Sequence, residues 1–405
     1  MAKKCIHVPY GKSVHGEEEI DAVVSILRSS TQMGQAVREM EKKIAELFSK
    51  RFGIMLNSGS SANYLAVELL KLPESSEVIT PALTFSTTVA PLIKNKLIPV
   101  FIDVELDTFN IDVDQIESMI GAQTKALMIP NLLGNLPDWK KIRIIADKYN
   151  LIVIEDSCDT LGATFHGNAS GFYSDVSTTS FYGSHIINCA GNGGMLCVNN
   201  PGFAEKAMLL RSWGRSSSLY IESENIQTRF QKKIEQIEYD AKFIFEEIGY
   251  NLEPSELGAA FGLVQLSKLN QNIMRRQEVF ASHLNFFSNY KDWFIFPKQL
   301  PYAKVAWLAF PLIVKDNAPF NRKDLQIYFE NRNIQTRTIF TGNILRQPGF
   351  KKILRREIES GYPHADQIMR GGILIGSHHG MTDVMVKHIY ESFKEFEKSY
   401  TSVPI

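Results

Sequence analysis

The 405-residue chain has no surplus of charge: Lys+Arg and Asp+Glu are 44 each, and the pI is close to 7.1. This excludes a basic face for nucleic acid and a polybasic membrane patch, so an anionic partner must be met by a local site. It also lacks any run of about 18 uninterrupted apolar residues, which argues against a spanning helix. The opening "MAKKCIHVPYGKS" has two lysines but no apolar run behind them, unlike a secretory signal, and a cytoplasmic protein is expected. Cysteine is scarce. Cys5, Cys158, Cys189 and Cys197 form no CxxC pair and suit neither zinc nor an iron–sulfur cluster, which leaves four reduced thiols. His378 and His379 are adjacent, so their side chains point apart, and no carboxylate spacing completes a metal site.

What the chain does have is alternation. Ile20, Val23, Val24 and Leu27 share one helical face, and Val37, Met40, Ile44 and Leu47 another. Then short apolar runs ("GIML", "EVIT", "LIPVFID", "KALMIPN", "LIVIEDS", "STTSFY", "GGMLCV") are separated by helical patterns, which predicts an α/β fold with a mostly parallel, covered sheet. A long helical pattern from Ser255 to Tyr290 follows, with Ser255 as its N-cap. "VAWLAFPLIV", "NRKDLQIYFENRN", "IQTRTIF" and "DVMVKHIYESFKEFEKSY" read as strand, helix, strand and closing helix of a smaller α/β unit. The predicted division is 1–255 and 256–405, with no flexible linker between.

Several stretches carry chemistry. "NSGSSAN" (Asn57–Asn63) puts small residues between a strand and a helix, where backbone N–H groups and hydroxyls hold a phosphate; a plain capping loop explains it as well. In "LIVIEDSCDTLGA" an apolar strand delivers Glu155, Asp156 and Asp159 at its C-terminal end, where α/β sheets place ligands. A carboxylate there can pair with a protonated pyridine nitrogen, or can merely cap a helix. Phe85 follows another strand and can stack on a flat ring or sit in the core. Ser180 closes a further strand five residues before His185, and a glycine turn, "GNGG", brings the chain back.

In this order and at these separations, the pieces resemble the DegT/DnrJ-type sugar aminotransferases, fold-type I pyridoxal phosphate enzymes, from about Pro9 to Phe396. The resemblance implies an aspartate-aminotransferase-like large domain around a mostly parallel seven-stranded sheet, plus a smaller C-terminal α/β domain. By position, Gly59, Ser60, Ser61 and Ser180 would hold the cofactor phosphate and Phe85 would stack on the ring. Asp156 would pair with the pyridine nitrogen, and Asp159 would lie near the ring hydroxyl. Asn251, in "GYNLEPSELGAA", would reach the phosphate of a neighbouring subunit, which implies a homodimer.

One residue departs from that family. His185 stands where the aminotransferases have the lysine that bonds covalently to pyridoxal phosphate. Imidazole cannot replace that bond, but it can take a proton near neutral pH. The same substitution marks the nucleotide-sugar 3-dehydratases of the colitose and ascarylose pathways, which "EDSCDTLG", "GYNL", "TRTIFTGNILRQPGF" and "GSHHGMTD" also resemble. This implies pyridoxamine 5'-phosphate as cofactor, a nucleotide-linked 4-keto-6-deoxyhexose as substrate and glutamate as amino donor. The ascarylose enzyme carries its iron–sulfur cysteines after "WGR". This chain has "RSSSLYIESENIQTRF" there, so no cluster is expected. Arg337, Asn343 and Arg346 are candidates for the substrate's diphosphate or sugar. The alternatives are a reductive 3-dehydrase served by an electron-donating reductase, a sugar 4-aminotransferase using another lysine, and a non-catalytic paralogue.

Overall fold

The computed structural model describes residues 6–220 and 225–401. Cys5 and part of the segment after "WGR" lie outside them. The large sheet has the order Phe52–Leu56, Gly194–Val198, Val176–Ser180, Ile152–Ser157, Thr124–Pro130, Glu77–Pro81, Ile98–Ile102, Arg356–Glu357. All neighbours are parallel except Gly194–Val198, which is antiparallel to both of its own. Strand alternation fills both faces: in Thr124–Pro130, Ala126 and Met128 enter one core while Leu127 and Ile129 enter the other. The expected seven strands are thus joined by an eighth, the two-residue edge strand Arg356–Glu357 supplied by the C-terminal part of the chain.

The long helical pattern divides at Lys268 into Glu256–Ser267 and Leu269–Phe287, and Ser255 caps the first by accepting from the Gly258 N–H. Glu256 in turn accepts from the N–H groups of Gly34, Ala36 and Val37 at 2.7–3.2 Å. A carboxylate thereby satisfies the positive end of the helix Gln35–Leu47. In the helix Glu17–Arg28 the predicted apolar face is only partly covered, and Ile20 and Leu27 remain exposed.

The smaller unit is an antiparallel sheet in the order Phe294–Ile295, Phe310–Val314, Gly372–Ile375, Thr336–Thr338. It is covered by Arg322–Glu330 and Asp383–Thr401 over an aromatic core that includes Phe287, Phe310, Phe329 and Phe393. Only the second half of "VAWLAFPLIV" becomes strand. The carbonyls of Trp307 and Leu308 are instead taken by a side chain, Arg276. The units interlock across the predicted boundary. Val8 bridges to Ile334 and belongs to the aromatic core, His378 donates from Nε2 to the Pro9 carbonyl, and Ile344 donates its N–H to the Ala82 carbonyl.

Candidate active site

Parallel strands end on one side of a sheet, and that edge is where this protein opens. A cavity of about 380 Å³ lies beyond the strands ending at Pro81, Pro130, Ser157 and Ser180. Gly59, Ser60, Phe85, Asp156, Asp159, Ser180 and His185 all line it. Ser61 does not: its hydroxyl donates to Asn57 Oδ1 at 2.6 Å and its side chain faces an adjoining cleft.

The N-terminus of the helix Gly59–Glu68 opens on the cavity, and because the first N–H groups of a helix have no intrahelical acceptor, it can receive an anion. Ser58 caps it by accepting from the Ser61 N–H at 3.1 Å. A Cβ on Gly59 would stand 2.6 Å from Ser180 Cβ and 2.8 Å from Cys158 Sγ, so any larger residue would fill the cradle. The glycine turn has the same purpose: a Cβ on Gly194 would lie 2.2 Å from the Ser58 carbonyl oxygen.

Within the acidic triplet the strand sorts the side chains. Glu155 points away from the cavity into a buried network with Asn131, Ser157 and the Gly171 N–H, at 2.7–2.9 Å. Its burial raises its pKa. Asp156 faces the cavity, and three donors fix it: Asn63 Nδ2 at 2.8 Å, Thr88 Oγ1 at 2.7 Å and the Cys158 N–H at 3.1 Å. Asn63 is held in turn by the Thr178 hydroxyl at 2.6 Å. A carboxylate so restrained can meet a ring cation without rotating away. Thr88 does not stand out in the sequence, and nothing in "NSGSSAN" marks its last residue, Asn63, as a partner of a carboxylate.

Asp159 accepts from the Leu133 N–H at 3.0 Å, and its carboxylate lies 3.9 Å from His185 Nε2. Burial, and the neighbouring Asp156 charge, push its pKa up to about 7. His185 has the opposite bias: burial lowers its pKa to about 4, the Ser180 contact and Asp156 raise it, and Arg276 lowers it. Its Nδ1 is 3.1 Å from the Ser180 carbonyl. A carbonyl can only accept, so Nδ1 carries the proton and Nε2 presents a free lone pair to the cavity. That is a base, oriented and neutral.

Phe85 is half exposed at the rim and meets Phe340 edge-on at 6.0 Å. Tyr182 and Asn192, from the stretch that holds Ser180 and His185, also line the cavity, as do Tyr10, Asn131 and Leu308. The last three come from segments distant in sequence, and only topology brings them in.

The second candidate cluster is built differently. Asn343 is fully buried, donates to Asp366 Oδ1 at 2.8 Å and accepts from the Leu345 N–H at 3.0 Å. Arg346 pairs with both oxygens of the same Asp366, at 3.1 and 2.7 Å. Both residues tie a loop together and neither lines the cavity. Arg337 lies nearer, with its guanidinium 5.5 Å from the ring of Tyr10. Asn251 lies outside its own chain's cavity and is exposed. Of the cysteines, Cys158 lines the cavity, while Cys189 and Cys197 are buried and free.

Residues 13–394 match the DegT/DnrJ/EryC1/StrS aminotransferase family model. The chain belongs to that family. It is 33% identical over 401 residues to the lipopolysaccharide biosynthesis protein RfbH of Salmonella typhimurium, covering 96% of this chain and 91% of the relative. It is also 33% identical to the dTDP-4-dehydro-2,6-dideoxy-D-glucose 3-dehydratase of Saccharopolyspora spinosa, covering 96% and 86%. Among solved structures, the E. coli GDP-4-keto-6-deoxy-D-mannose-3-dehydratase with bound hydrated PLP superimposes with a TM-score of 0.86 at 26% identity, covering 96% of this chain and 99% of that one. The fold is thus that of the fold-type I pyridoxal phosphate enzymes, as the sequence predicts. Among the described residues no helix is long and apolar enough to cross a membrane.

Proposed function

We propose that this protein is a pyridoxamine phosphate-dependent 3-dehydratase acting on a nucleotide-linked 4-keto-6-deoxyhexose and yielding the 3-deoxy-4-keto sugar for dideoxysugar biosynthesis. The observation that carries this reading is the neutral His185, with Nε2 free, in the same cavity as Asp156 and the helix opening at Gly59. When bound, the cofactor supplies an amine that condenses with a ketone and a cationic ring that accepts an electron pair.

The chain's own residues do the rest. Gly59, Ser60 and Ser180 seat the phosphate, with Ser61 closing the loop through Asn57. Phe85 and Asp156, which both line the cavity, would hold the ring, the first by stacking and the second by pairing with its nitrogen. His185 Nε2 removes a proton, the C3–O bond of the sugar breaks and the hydroxyl leaves as water. Asp159, beside Nε2, is the group through which that proton can be passed on. In the net change a hydrogen replaces the C3 hydroxyl, and the two electrons this needs would come from glutamate, which would leave as its keto acid with release of ammonia. This route needs no iron–sulfur cluster. Arg337, whose guanidinium stands 5.5 Å from the ring of the cavity residue Tyr10, suits the diphosphate. Asn251, exposed and outside the lining of its own chain's cavity, fits a role across a homodimer interface.

The test is an assay of several nucleotide-linked 4-keto-6-deoxyhexoses (GDP, CDP and dTDP) with the cofactor and glutamate, following product mass. A product one oxygen atom lighter is expected. An amino sugar would instead indicate an aminotransferase, dependence on an added reductase would indicate the reductive route, and no consumption of any sugar would indicate a paralogue without catalysis. His185→Lys should abolish the dehydration, and a fully active lysine variant would contradict the role given to the imidazole.

A further inference from the structure

Arg276, on the helix Leu269–Phe287, is fully buried. A buried cation normally needs an anion beside it, because desolvation strongly disfavours a lone charge. Here the guanidinium is met by four main-chain carbonyls. Its Nη1 donates to Trp307 at 3.3 Å and Leu308 at 3.0 Å, and its Nη2 donates to Ser184 at 3.3 Å and His185 at 3.2 Å. The same fork thus grips the peptide of the proposed base and the segment that leads into the smaller sheet.

That segment continues the path. The Leu308 N–H donates to the Leu133 carbonyl at 2.8 Å, and the Leu133 N–H donates to Asp159 Oδ2 at 3.0 Å. Leu133 holds a left-handed conformation, φ +57°, which a branched residue adopts only under constraint. Asp159 Oδ1 then stands 3.9 Å from His185 Nε2. Arg276, Leu308, Leu133, Asp159 and His185 make a closed ring around one side of the cavity.

The geometry points to Arg276 as a positioning residue that sets where His185 stands relative to Asp159, through carbonyls and without touching substrate. This rests on the acid–base role proposed for His185. Replacing a rigid fork by a single donor would release one of the two segments, and a displacement of about 1 Å at a base can cost about 10²-fold in rate. The charge acts as well. The groups around the imidazole are Asp156 and Asp159 from the strand end, Cys158 between them, Tyr10 from the N-terminal segment, Tyr182 from its own loop and Arg276 from the helix. Of these, Arg276 lowers the proton affinity of His185 and Asp156 raises it.

The test uses the full chain without substrate first. In a histidine-labelled NMR titration, with His185→Gln to assign the signal, Arg276→Gln should move the His185 midpoint up by about one pH unit. In the dehydration assay the same variant should lose kcat by about 10- to 100-fold with KM within about threefold. Arg276→Lys keeps the charge but not the fork, so its His185 midpoint should stay near that of the parent while kcat still falls about tenfold. Should the parent dehydrate no sugar, the imidazole midpoint still reports on the clamp, so the two ideas fail separately. An unchanged midpoint and kcat in Arg276→Gln would overturn the proposal. So would a loss of kcat that merely matches the unfolded fraction, or a failure of both variants to fold, since the residue would then be purely architectural.

Discussion

Two clusters of polar residues in this protein differ in whether their hydrogen bonds close. At Asn343, Arg346 and Asp366, the amide and guanidinium all meet one carboxylate, and Asn343 caps the next turn as well. These groups are turned on one another, and none of the three lines the cavity. At Asp156, Asp159 and His185, every side chain is anchored from behind, by Asn63, Thr88, Leu133 or Ser180, yet presents an atom to open space. A closed network is scaffold, whereas a network pinned on one side and open on the other is a site.

The contrast can be broken most strongly at His185. His185→Ala should lower kcat for dehydration by about 10²–10⁴-fold with the fold retained, as circular dichroism alongside the assay would reveal. A variant retaining most of its kcat would move the base elsewhere.

Asp159 comes next and reports on stability. Its folded pKa is raised, so its contribution is fully present below the unfolded pKa, near 4, and is lost as pH rises through about 7. Asp159→Asn should therefore stabilise the cofactor-free protein at pH 8 on the order of 1–3 kcal/mol and much less at pH 4, as paired denaturant titrations would show. An equal effect at both pH values would mean that the carboxylate is not strained by its surroundings.

The closed cluster should respond the other way round. Asn343→Ala leaves Asp366 and the Leu345 N–H short of a partner in a buried place and should cost about 1–3 kcal/mol of stability with KM unchanged. Smallest of all, Arg346→Ala removes an exposed pair and should cost less than about 1 kcal/mol, again without touching KM. A large rise in KM for either variant would return this loop to the substrate.

Much of this was legible in the sequence because its signals are local. The short apolar runs announce covered strands, the small residues of "NSGSSAN" announce a helix opening, and His185 announces itself by where it stands in the order of motifs. Glu155 and Asp156 are neighbours in the same motif, and only the pleat sends one into the scaffold and the other into the cavity. Asn63, Thr88 and Arg276 were not legible, because each acts on a residue at least 68 positions away. Asn343 and Arg346 look like ligand-binding residues in one dimension, since their quencher, Asp366, lies 20 or more residues further on. The eighth strand and the bridge from Val8 to Ile334 are long-range closures of the same kind.

The carbonyl of Ser180 has a consequence for mutagenesis. By fixing which imidazole nitrogen keeps its hydrogen, it leaves the lone pair of His185 on Nε2, on the side of Asp159. The tautomer is thus written into a peptide oxygen, an atom that no side-chain substitution at that position removes.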